Sequence, residues 1–360
     1  MQNNKAKRLI EVAMPVKEIS AESVRDKSIR HGHISTLHLW WARRPLPVCR
    51  AVVFASLVPD PLDENCPEQF REAVKSLLAS PEYKPYSDIP WTSIYDPMED
   101  NLRTRLLMFI GRFSDLFCKN EKQGKNTEAK DLLSDGSLIK WDNKNNPEII
   151  QLARKLIWVS YNADSGKSFK ELAKDFDKAF AAIQSAENDL YTIVDRHLKS
   201  QRAENAEQLL NQAIEKFQAK MPAVFDPFAG GGAIPLEAAR LGCRSFGNDI
   251  NPVAFVIQKG SLEFPQKYGK PITYSKKAFI AKYGEAELKR YSEEAGLAAA
   301  DSIEIKNRLA FDVDFYCRKL LEITKEKAGQ YYPGDSDGKT PVAYYWTRVA
   351  KCANPSCGAD

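Results

Sequence analysis

The spacing of apolar residues divides the chain into a long helical stretch and a shorter region of a different pattern. From about residue 62 to residue 220, apolar residues recur at i, i+3 and i+4 among mixed charges, which predicts amphipathic helices. Mixed-charge faces of this kind are typical of solvated helix surfaces rather than ligand sites. The predicted helices cover residues 67–79, 101–118, 147–160, 168–198 and 203–218.

The first 61 residues predict three shorter helices that are separated by prolines. Residues 8–30 predict a short helix, a break at Pro15, and a second, polar helix that begins near Ser20. Pro45 and Pro47 stand at the start of a third helix, which is apolar and ends before Pro59.

At residue 222 the pattern changes to that of a β-α-β unit. The segment PAVFDPFAGGGAIPLEAARLGCRSFGNDINPVAFVIQKG contains two short apolar runs, a glycine loop and two helical patterns. This order builds a parallel sheet of the doubly wound kind, so the predicted fold class is α/β. The predicted bounds are strand 223–226, loop 229–232, helix 233–241, strand 243–248 and helix 252–259, followed by a mostly helical stretch at 277–329, a loop at 330–342 and a strand at 343–351.

Composition and charge narrow the class of protein. With 43% apolar and 28% charged residues, the chain is predicted to be an ordinary soluble globular protein, neither disordered nor fibrous. No apolar run approaches the roughly 20 residues that cross a bilayer, and the first residues show no secretory signal, so we expect a cytoplasmic chain without a membrane partner. The first 50 residues carry ten Lys and Arg against four Asp and Glu, whereas the whole chain has a net charge of +4. The N-terminal surface is therefore predicted to face an anion.

The glycine loop and the acid after the second strand carry the strongest chemical signal. Glycine permits positive φ and a close ligand, and the helix that follows offers free N–H groups to an anion. Asp249 follows Gly232 by 17 residues, where a carboxylate can accept both hydroxyls of an adenosine ribose. Pro235 occupies the third-glycine position of a dinucleotide fingerprint, which disfavours nicotinamide and flavin cofactors. S-adenosylmethionine and a glycine turn without a ligand are the remaining interpretations.

The segment HGHISTLHLWWARRPLPVCRAV concentrates three of the four histidines, two tryptophans and three arginines. One interpretation is a capping segment with core tryptophans and an arginine pair held in salt bridges. The other interpretation is a nucleic-acid contact. Arg43 and Arg44 suit phosphate, and the indole rings of Trp40 and Trp41 stack on bases.

Two of the seven cysteines form a close pair, Cys352 and Cys357, in the order C-x4-C followed by glycine. Such a turn can direct two thiolates at one zinc ion, but a structural zinc site needs four ligands. The other five cysteines are scattered singly, as buried thiols are in a reducing compartment.

These motifs together resemble one family. The stretch FDPFAGGGAIPLEAARLGCRSFGNDINPVA, the LHLWWARRPL block and the cysteine pair are similar to zinc-ribbon-containing adenine-specific DNA methylases. The resemblance covers residues 1–60 and 222–265, and it implies a Rossmann-like class I methyltransferase sheet with a large, mainly helical insertion. The implied domains are a basic segment at 1–61 that packs on the methyltransferase core, the insertion at 62–220, the S-adenosylmethionine-binding core and following helices at 221–342, and the start of a zinc ribbon at 343–360.

The resemblance also implies roles for individual residues. Asp226 would hold the methionine amino group, Asp249 the ribose hydroxyls, and Ile250 would pack on adenine. The implied cofactor-binding residues are Asp226, Pro227, Phe228, Ala229, Gly230, Gly232, Asp249 and Ile250, with His38, Arg44 and Pro45 beside the methionine end. The implied DNA-binding residues are Trp40, Trp41, Arg43 and Arg44, and the implied zinc ligands of the intact protein are Cys352 and Cys357.

The activity implied is methyl transfer from S-adenosylmethionine to the exocyclic amine of adenine in DNA, in a restriction–modification or anti-phage system. The family's catalytic loop, an (Asp/Asn/Ser)-Pro-Pro-aromatic sequence that orients a flipped base, does not occur in these 360 residues. The sequence therefore predicts the N-terminal part of a longer enzyme, one chain of an enzyme whose remaining motifs lie on a second chain, or a degenerate enzyme that has lost them. The alternatives are an RNA or protein methyltransferase, and a non-catalytic DNA- or partner-binding subunit that keeps the cofactor fold.

Overall fold

The computed structural model describes residues 5–86, 99–295 and 301–332, together with residues 339, 343, 350, 352–354, 356 and 357. The chain divides into two compact units, Met1–Leu309 and Ala310–Asp360, with the boundary inside the last helix. The strand predicted at 343–351 lies outside the described residues, apart from residues 343 and 350.

Helices make up most of the described chain, and several of them match the sequence pattern. The helices predicted at 67–79, 147–160 and 203–218 are confirmed, whereas the segment 101–118 forms two helices because Ser114 caps a new one by accepting the Phe117 N–H (3.0 Å). Before the first strand the helices are α1 (Val16–Ser28), α2 (Leu46–Leu57), α3 (Glu68–Leu77), α4 (Leu102–Ile110), α5 (Asp115–Lys122), α6 (Pro147–Tyr161), α7 (Phe169–Tyr191) and α8 (Gln201–Gln218). After it they are α9 (Ala233–Arg240), α10 (Pro252–Gln258), α11 (Phe264–Tyr268), α12 (Lys276–Tyr283), α13 (Glu285–Ala295) and α14 (Arg308–Ala328), with a π-helical turn at Lys259–Glu263 between α10 and α11.

The described strands form two small sheets. Strands β1 (Ala223–Asp226) and β2 (Arg244–Gly247) are parallel, and strands β3 (Ile272–Ser275) and β4 (Ser302–Ile305) are antiparallel. The described chain is therefore α/β and mostly helical, with two strands in each sheet. The β-α-β prediction is confirmed, since β1, α9, β2 and α10 each begin and end within one residue of the predicted bounds. Strand β4 lies within the stretch predicted to be mostly helical at 277–329. The sequence did not reveal it, because four residues are too few to display a period.

One hydrophobic core runs through the unit Met1–Leu309. It joins α2, through Phe54, to the helical region, through Phe109 and Trp158, and reaches the end of α9 at Leu241. All four side chains are almost completely buried. The N-terminal helices and the helical region therefore pack around the same core as the helix that follows the glycine loop.

Helix α1 begins at Val16, so the predicted start near Ser20 is wrong. Pro15 occupies the N-cap position, and its carbonyl accepts the Ile19 N–H at 3.0 Å, so the helix starts directly after the proline. The buried face of α1 carries three acids one turn apart, Glu18, Glu22 and Asp26.

The helical region supplies hydrogen-bond donors to two of these acids. Tyr86 donates its hydroxyl to Glu18 (2.7 Å), and the Trp141 backbone N–H donates to Glu22 Oε1 (2.7 Å). Buried carboxylates need such donors, so these contacts determine how α1 seats on the helical region.

Replacing Glu22 with glutamine is expected to raise the free energy of unfolding at pH 7, because a neutral amide costs less to bury than an ionised carboxylate. The Oε2 atom of Glu22 has no hydrogen-bond partner among the described residues, and burial raises the pKa of this carboxyl. The Trp141 N–H and Arg25 lower the pKa but do not offset burial. Because the folded-state pKa lies above the unfolded value of about 4.3, protonated Glu22 stabilises the fold in acid, and this stabilisation is lost as the pH rises through the folded pKa.

Urea unfolding at about pH 4 and at pH 7 checks this prediction. The difference between Glu22→Gln and wild type should appear at pH 7 and close at pH 4, and the exposed Glu121→Gln control should show no difference at either pH. A difference of equal size at both pH values would contradict the assignment.

None of the described helices combines the length and apolarity required to span a bilayer.

Candidate cofactor-binding site

The candidate site lies at the carboxyl ends of β1 and β2. Backbone pairing continues beyond the strands, because Asn248 N–H donates to the Asp226 carbonyl (2.9 Å) and Ala229 N–H donates to the Asn248 carbonyl (2.8 Å). These bonds hold the start of the glycine loop against the end of β2. Asp226 and Asp249 therefore lie at the same edge of the parallel pair, the edge at which open α/β sheets bind ligands.

Side chains from the turn after β2 and from α10 hold the glycine loop in place. Gly230 and Gly232 have φ of 51° and 81°, a conformation that favours glycine. Asp249 Oδ2 accepts the Gly230 N–H at 2.8 Å, and Gln258 Nε2 donates to the Gly230 carbonyl at 3.1 Å. The acid that the sequence predicts for a ribose thus also fixes the loop.

The turn after β2 explains the order Asp-Ile-Asn-Pro. Asp249 Oδ1 accepts the Asn251 N–H (2.9 Å), and Asn251 Oδ1 accepts the Val253 N–H (2.9 Å), which caps α10. Pro252 occupies the first turn of α10. Backbone N–H groups in this turn have no acceptor within the helix, so a proline there costs no helical hydrogen bond. Both oxygens of the Asp249 carboxylate are therefore oriented by backbone donors, and each keeps a free lone pair for a ligand.

Trp40 from the N-terminal block lies directly on the glycine loop. A Cβ atom built on Gly230 would come within 2.4 Å of Trp40 Nε1, and one on Gly231 within 3.2 Å of Trp40 Cβ. Three residues earlier, Leu37 packs on the π-helical turn, where a Cβ on Gly260 would lie 2.9 Å from Leu37 Cδ2. The structure therefore brings together two motifs that are far apart in the sequence.

The remaining residues of the N-terminal block occupy different surroundings. His38, Trp41 and Arg44 are exposed, with Trp41 at 92%, and Pro45 caps α2. No hydrogen bond or ion pair joins His38 or Arg44 to the glycine loop among the described residues. Of the predicted DNA-binding side chains, Trp41 and Arg44 are thus open to a ligand, whereas Trp40 contacts the loop.

Arg43 is held inside the fold by the third acid of α1. Its Nη2 donates to the Asp26 carbonyl (2.8 Å) and to Asp26 Oδ2 (3.0 Å). His33 Nε2 lies 3.1 Å from Asp26 Oδ1, and His33 Nδ1 accepts the Ser35 N–H at 3.0 Å. His33 Nε2 also lies 3.1 Å from Arg43 Nη2, so the imidazole contacts both members of the Asp26–Arg43 ion pair. Asp26, His33 and Arg43 therefore form one internal network that anchors residues 33–43 to α1.

A buried ion pair that the sequence did not reveal links α2 to α9. Arg50 Nε donates to Glu237 Oε2 at 2.6 Å, and Arg50 Nη1 donates to the Leu138 carbonyl at 2.8 Å. Both charged side chains are at most 1% exposed, and Arg240 also pairs with Glu237 (3.2 Å). The sequence signal was a single arginine within the otherwise apolar helix α2, which indicates a buried partner without identifying it.

The nearby Cys49 thiol is unsuited to nucleophilic chemistry. Burial, followed by the nearby carboxylates of Glu237, Asp226 and Asp26, raises the pKa of Cys49 to about 12, although Arg44 acts to lower it. The thiol therefore stays protonated at neutral pH.

Several apolar side chains around the strand ends are exposed. Phe228 is 84% exposed and Ile250 is 98% exposed, and both flank the glycine loop in sequence. Phe225 and Phe246, which are paired across β1 and β2, are also exposed. Parallel strands are normally covered on both faces, so these side chains mark a surface suited to a ligand or partner.

Cys352 and Cys357 are both exposed and lie on a turn in which Cys357 N–H donates to the Asn354 carbonyl at 3.0 Å. In the part of the chain that the structure describes, no group of three or more His, Cys, Asp and Glu side chains converges on a point. The predicted zinc site therefore remains two ligands on a turn.

Comparison with known proteins gives one partial match. Residues 13–78 match the model of a protein family of unknown function, DUF1156. No curated protein and no solved structure matches the chain. The matched segment contains the acids of α1, the Arg43 network, Trp40 and Arg50, which are the residues that join the N-terminal region to the glycine loop and α9.

Proposed function

We propose that this chain is the cofactor-binding part of an S-adenosylmethionine-dependent methyltransferase that acts on the exocyclic amine of adenine in DNA. The observation that carries the proposal is the bond from the Gly230 N–H to the Asp249 carboxylate at the ends of two parallel strands. It joins a glycine loop of positive φ to an acid placed for a ribose, the combination that adenosine-containing cofactors require.

The side chains at the strand ends fit such a cofactor by their chemistry. Asp249 keeps lone pairs for ribose hydroxyls, and Asp226 has one oxygen bonded to the Phe228 N–H (3.0 Å) and a second for an ammonium group. Exposed Ile250 and Phe228 provide apolar surface for an adenine ring. The cofactor itself supplies a methyl group on a sulfonium, which an amine attacks in line.

A Rossmann-like sheet larger than β1 and β2 is part of the proposal. Arg244 N–H donates to the Pro222 carbonyl and Asn248 N–H to the Asp226 carbonyl, so the even-numbered residues of β1 face β2. Ala223 and Phe225 direct their backbone groups to the opposite edge, where no described strand pairs. We expect further strands at this edge, together with a Pro-Pro-aromatic loop supplied by a second chain or by further sequence of the same protein.

DNA as the substrate, and a role in restriction–modification or anti-phage defence, rest on the family resemblance. Exposed Trp41 and Arg44 are the side chains of the N-terminal block available to stack on a base and to bind a phosphate.

Calorimetric titration of the chain with S-adenosylmethionine and S-adenosylhomocysteine tests the cofactor assignment. We expect binding of both in the micromolar range, and no heat with ATP or NADH as control ligands. If neither adenosyl ligand binds, the proposal is wrong.

A second candidate function is a non-catalytic subunit that keeps the cofactor fold as a scaffold. The observation that favours it is that Trp40 fills the space that the glycines leave, so the loop is packed against protein. Absence of cofactor binding by the chain and by its Trp40→Ala variant, with intact folding, would favour this candidate.

A further inference from the structure

Residues 37–42 cross the glycine loop as a strap that is held mainly at its ends. At one end, His33 and Ser35 close a 3-10 turn in which Leu37 N–H donates to the Ile34 carbonyl (3.1 Å). At the other end, Arg43 is bonded to Asp26. Between these anchors, no described backbone–backbone hydrogen bond ties residues 38–44 to the rest of the chain.

The middle of the strap is held by the packing of one ring. Trp40 is half-buried, and its indole N–H makes no hydrogen bond to a described residue. Its contact with Gly230 and Gly231 is therefore van der Waals packing. When the ring moves off the loop, this packing is lost but no buried polar group is left without a partner. The flanking Leu39 is 68% exposed and gains little from the closed position.

The ring also occupies the space that the loop leaves for a ligand. Glycine in such loops lets a ligand approach the backbone where a Cβ would stand. Here the atoms at that position of Gly230 are Nε1, Cδ1 and Cε2 of Trp40, at 2.4, 2.8 and 3.2 Å from the Cβ site. An indole ring and a cofactor cannot both fill this space.

We propose that the strap is a gate, in which Trp40 closes the glycine loop of the free protein and must leave it before the cofactor enters. This inference rests on the proposed function, since it concerns the same loop. A ligand that binds only the open state has an apparent Kd equal to its intrinsic Kd divided by the open fraction. Removing the Trp40 ring should therefore tighten cofactor binding, whereas removing a side chain that contacts the bound cofactor would weaken it.

Calorimetry with S-adenosylhomocysteine on wild type, Trp40→Ala, Trp40→Phe and Leu39→Ala tests the gate. We expect Trp40→Ala to bind roughly 3- to 10-fold more tightly than wild type, as for a gate that is open about 10–30% of the time. Trp40→Phe should show a smaller gain, and the exposed Leu39→Ala control should match wild type. Urea unfolding of each variant checks that the fold is retained.

Stopped-flow tryptophan fluorescence gives a second readout that needs no methyl transfer. In wild type, the observed association rate should level off at high ligand concentration, because opening limits it, whereas in Trp40→Ala it should stay linear. Weaker or unchanged binding by Trp40→Ala would overturn the gate while leaving the cofactor assignment intact. If no variant binds the ligand, the gate and the cofactor assignment are both wrong.

Discussion

Replacing Arg50 with methionine is expected to lower the free energy of unfolding by about 3–5 kcal/mol, the cost of removing one partner from a buried ion pair. The guanidinium bonds to Glu237 and to the Leu138 carbonyl, and neither charged side chain is more than 1% exposed. Without Arg50, the Glu237 carboxylate stays buried, and Arg240 is the one cation among the described residues that still pairs with it. Methionine fills much of the volume, so lost packing adds little to this effect.

Guanidinium chloride unfolding of wild type and variant measures the change. The exposed pair of Lys130 and Glu128, 2.9 Å apart, offers a matched control, and Lys130→Met should leave the stability nearly unchanged because water screens this pair. The double variant Arg50→Met with Glu237→Met should recover part of the loss, because the charges of Arg50 and Glu237 are then both gone. Arg240 loses its carboxylate partner but keeps its bonds to the Lys144 carbonyl and to Asn145 Oδ1, so the recovery is not complete. A loss for Arg50→Met no larger than that of the control would contradict the role assigned to the pair.

The Arg50 pair also explains why the N-terminal region belongs with the strand-end site. Helix α2 lies within the segment that matches DUF1156, and α9 begins at the end of the glycine loop. A bond between their buried faces fixes the direction of α9 and hence the position of the loop at its start.

The β-α-β unit could be predicted closely from the sequence because its signals are local. Two short apolar runs, three glycines and an Asn-Pro helix start each determine the backbone within a few residues, and β1, α9, β2 and α10 match the predicted bounds. The predicted start of helix α1 is wrong because a polar helix shows little periodicity from which to locate its first residue. Strand β4 is missing from the prediction because its four residues are too few to show an alternation.

The contacts that assemble the candidate site could not be predicted in the same way. Arg50 and Glu237 are 187 positions apart, and the pattern around each shows only that one charge lies in a buried helix. Trp40 was predicted to be either a core residue or a DNA contact, and nothing near it in the sequence indicates a glycine loop as its neighbour. The neighbours of these side chains are determined by packing between distant parts of the chain. No local pattern of apolar and polar residues indicates which distant residues will meet.

Replacing Asp249 with asparagine is expected to weaken the binding of S-adenosylhomocysteine by about 30-fold, or 2 kcal/mol, the usual value of a hydrogen bond to a charged group. The carboxylate accepts the Gly230 N–H at 2.8 Å and the Asn251 N–H at 2.9 Å. Asparagine has one oxygen, so its amide N–H₂ must face one of these two donors. The variant therefore loses an acceptor for the ribose and loosens the loop at the same time.

A modified ligand separates these two effects. The 2′-deoxy analogue of S-adenosylhomocysteine should bind wild type more weakly than the parent ligand, because it lacks one hydroxyl that Asp249 would accept. In Asp249→Asn the two ligands should bind with similar affinity, whereas pure loosening of the loop would preserve the difference between them. The exposed Asp164→Asn variant makes the same chemical change away from the site and should match wild type with both ligands. Asp249 is the side chain that joins the end of the second strand to the glycine loop. Undiminished binding by Asp249→Asn would therefore show that this carboxylate is no part of the cofactor site.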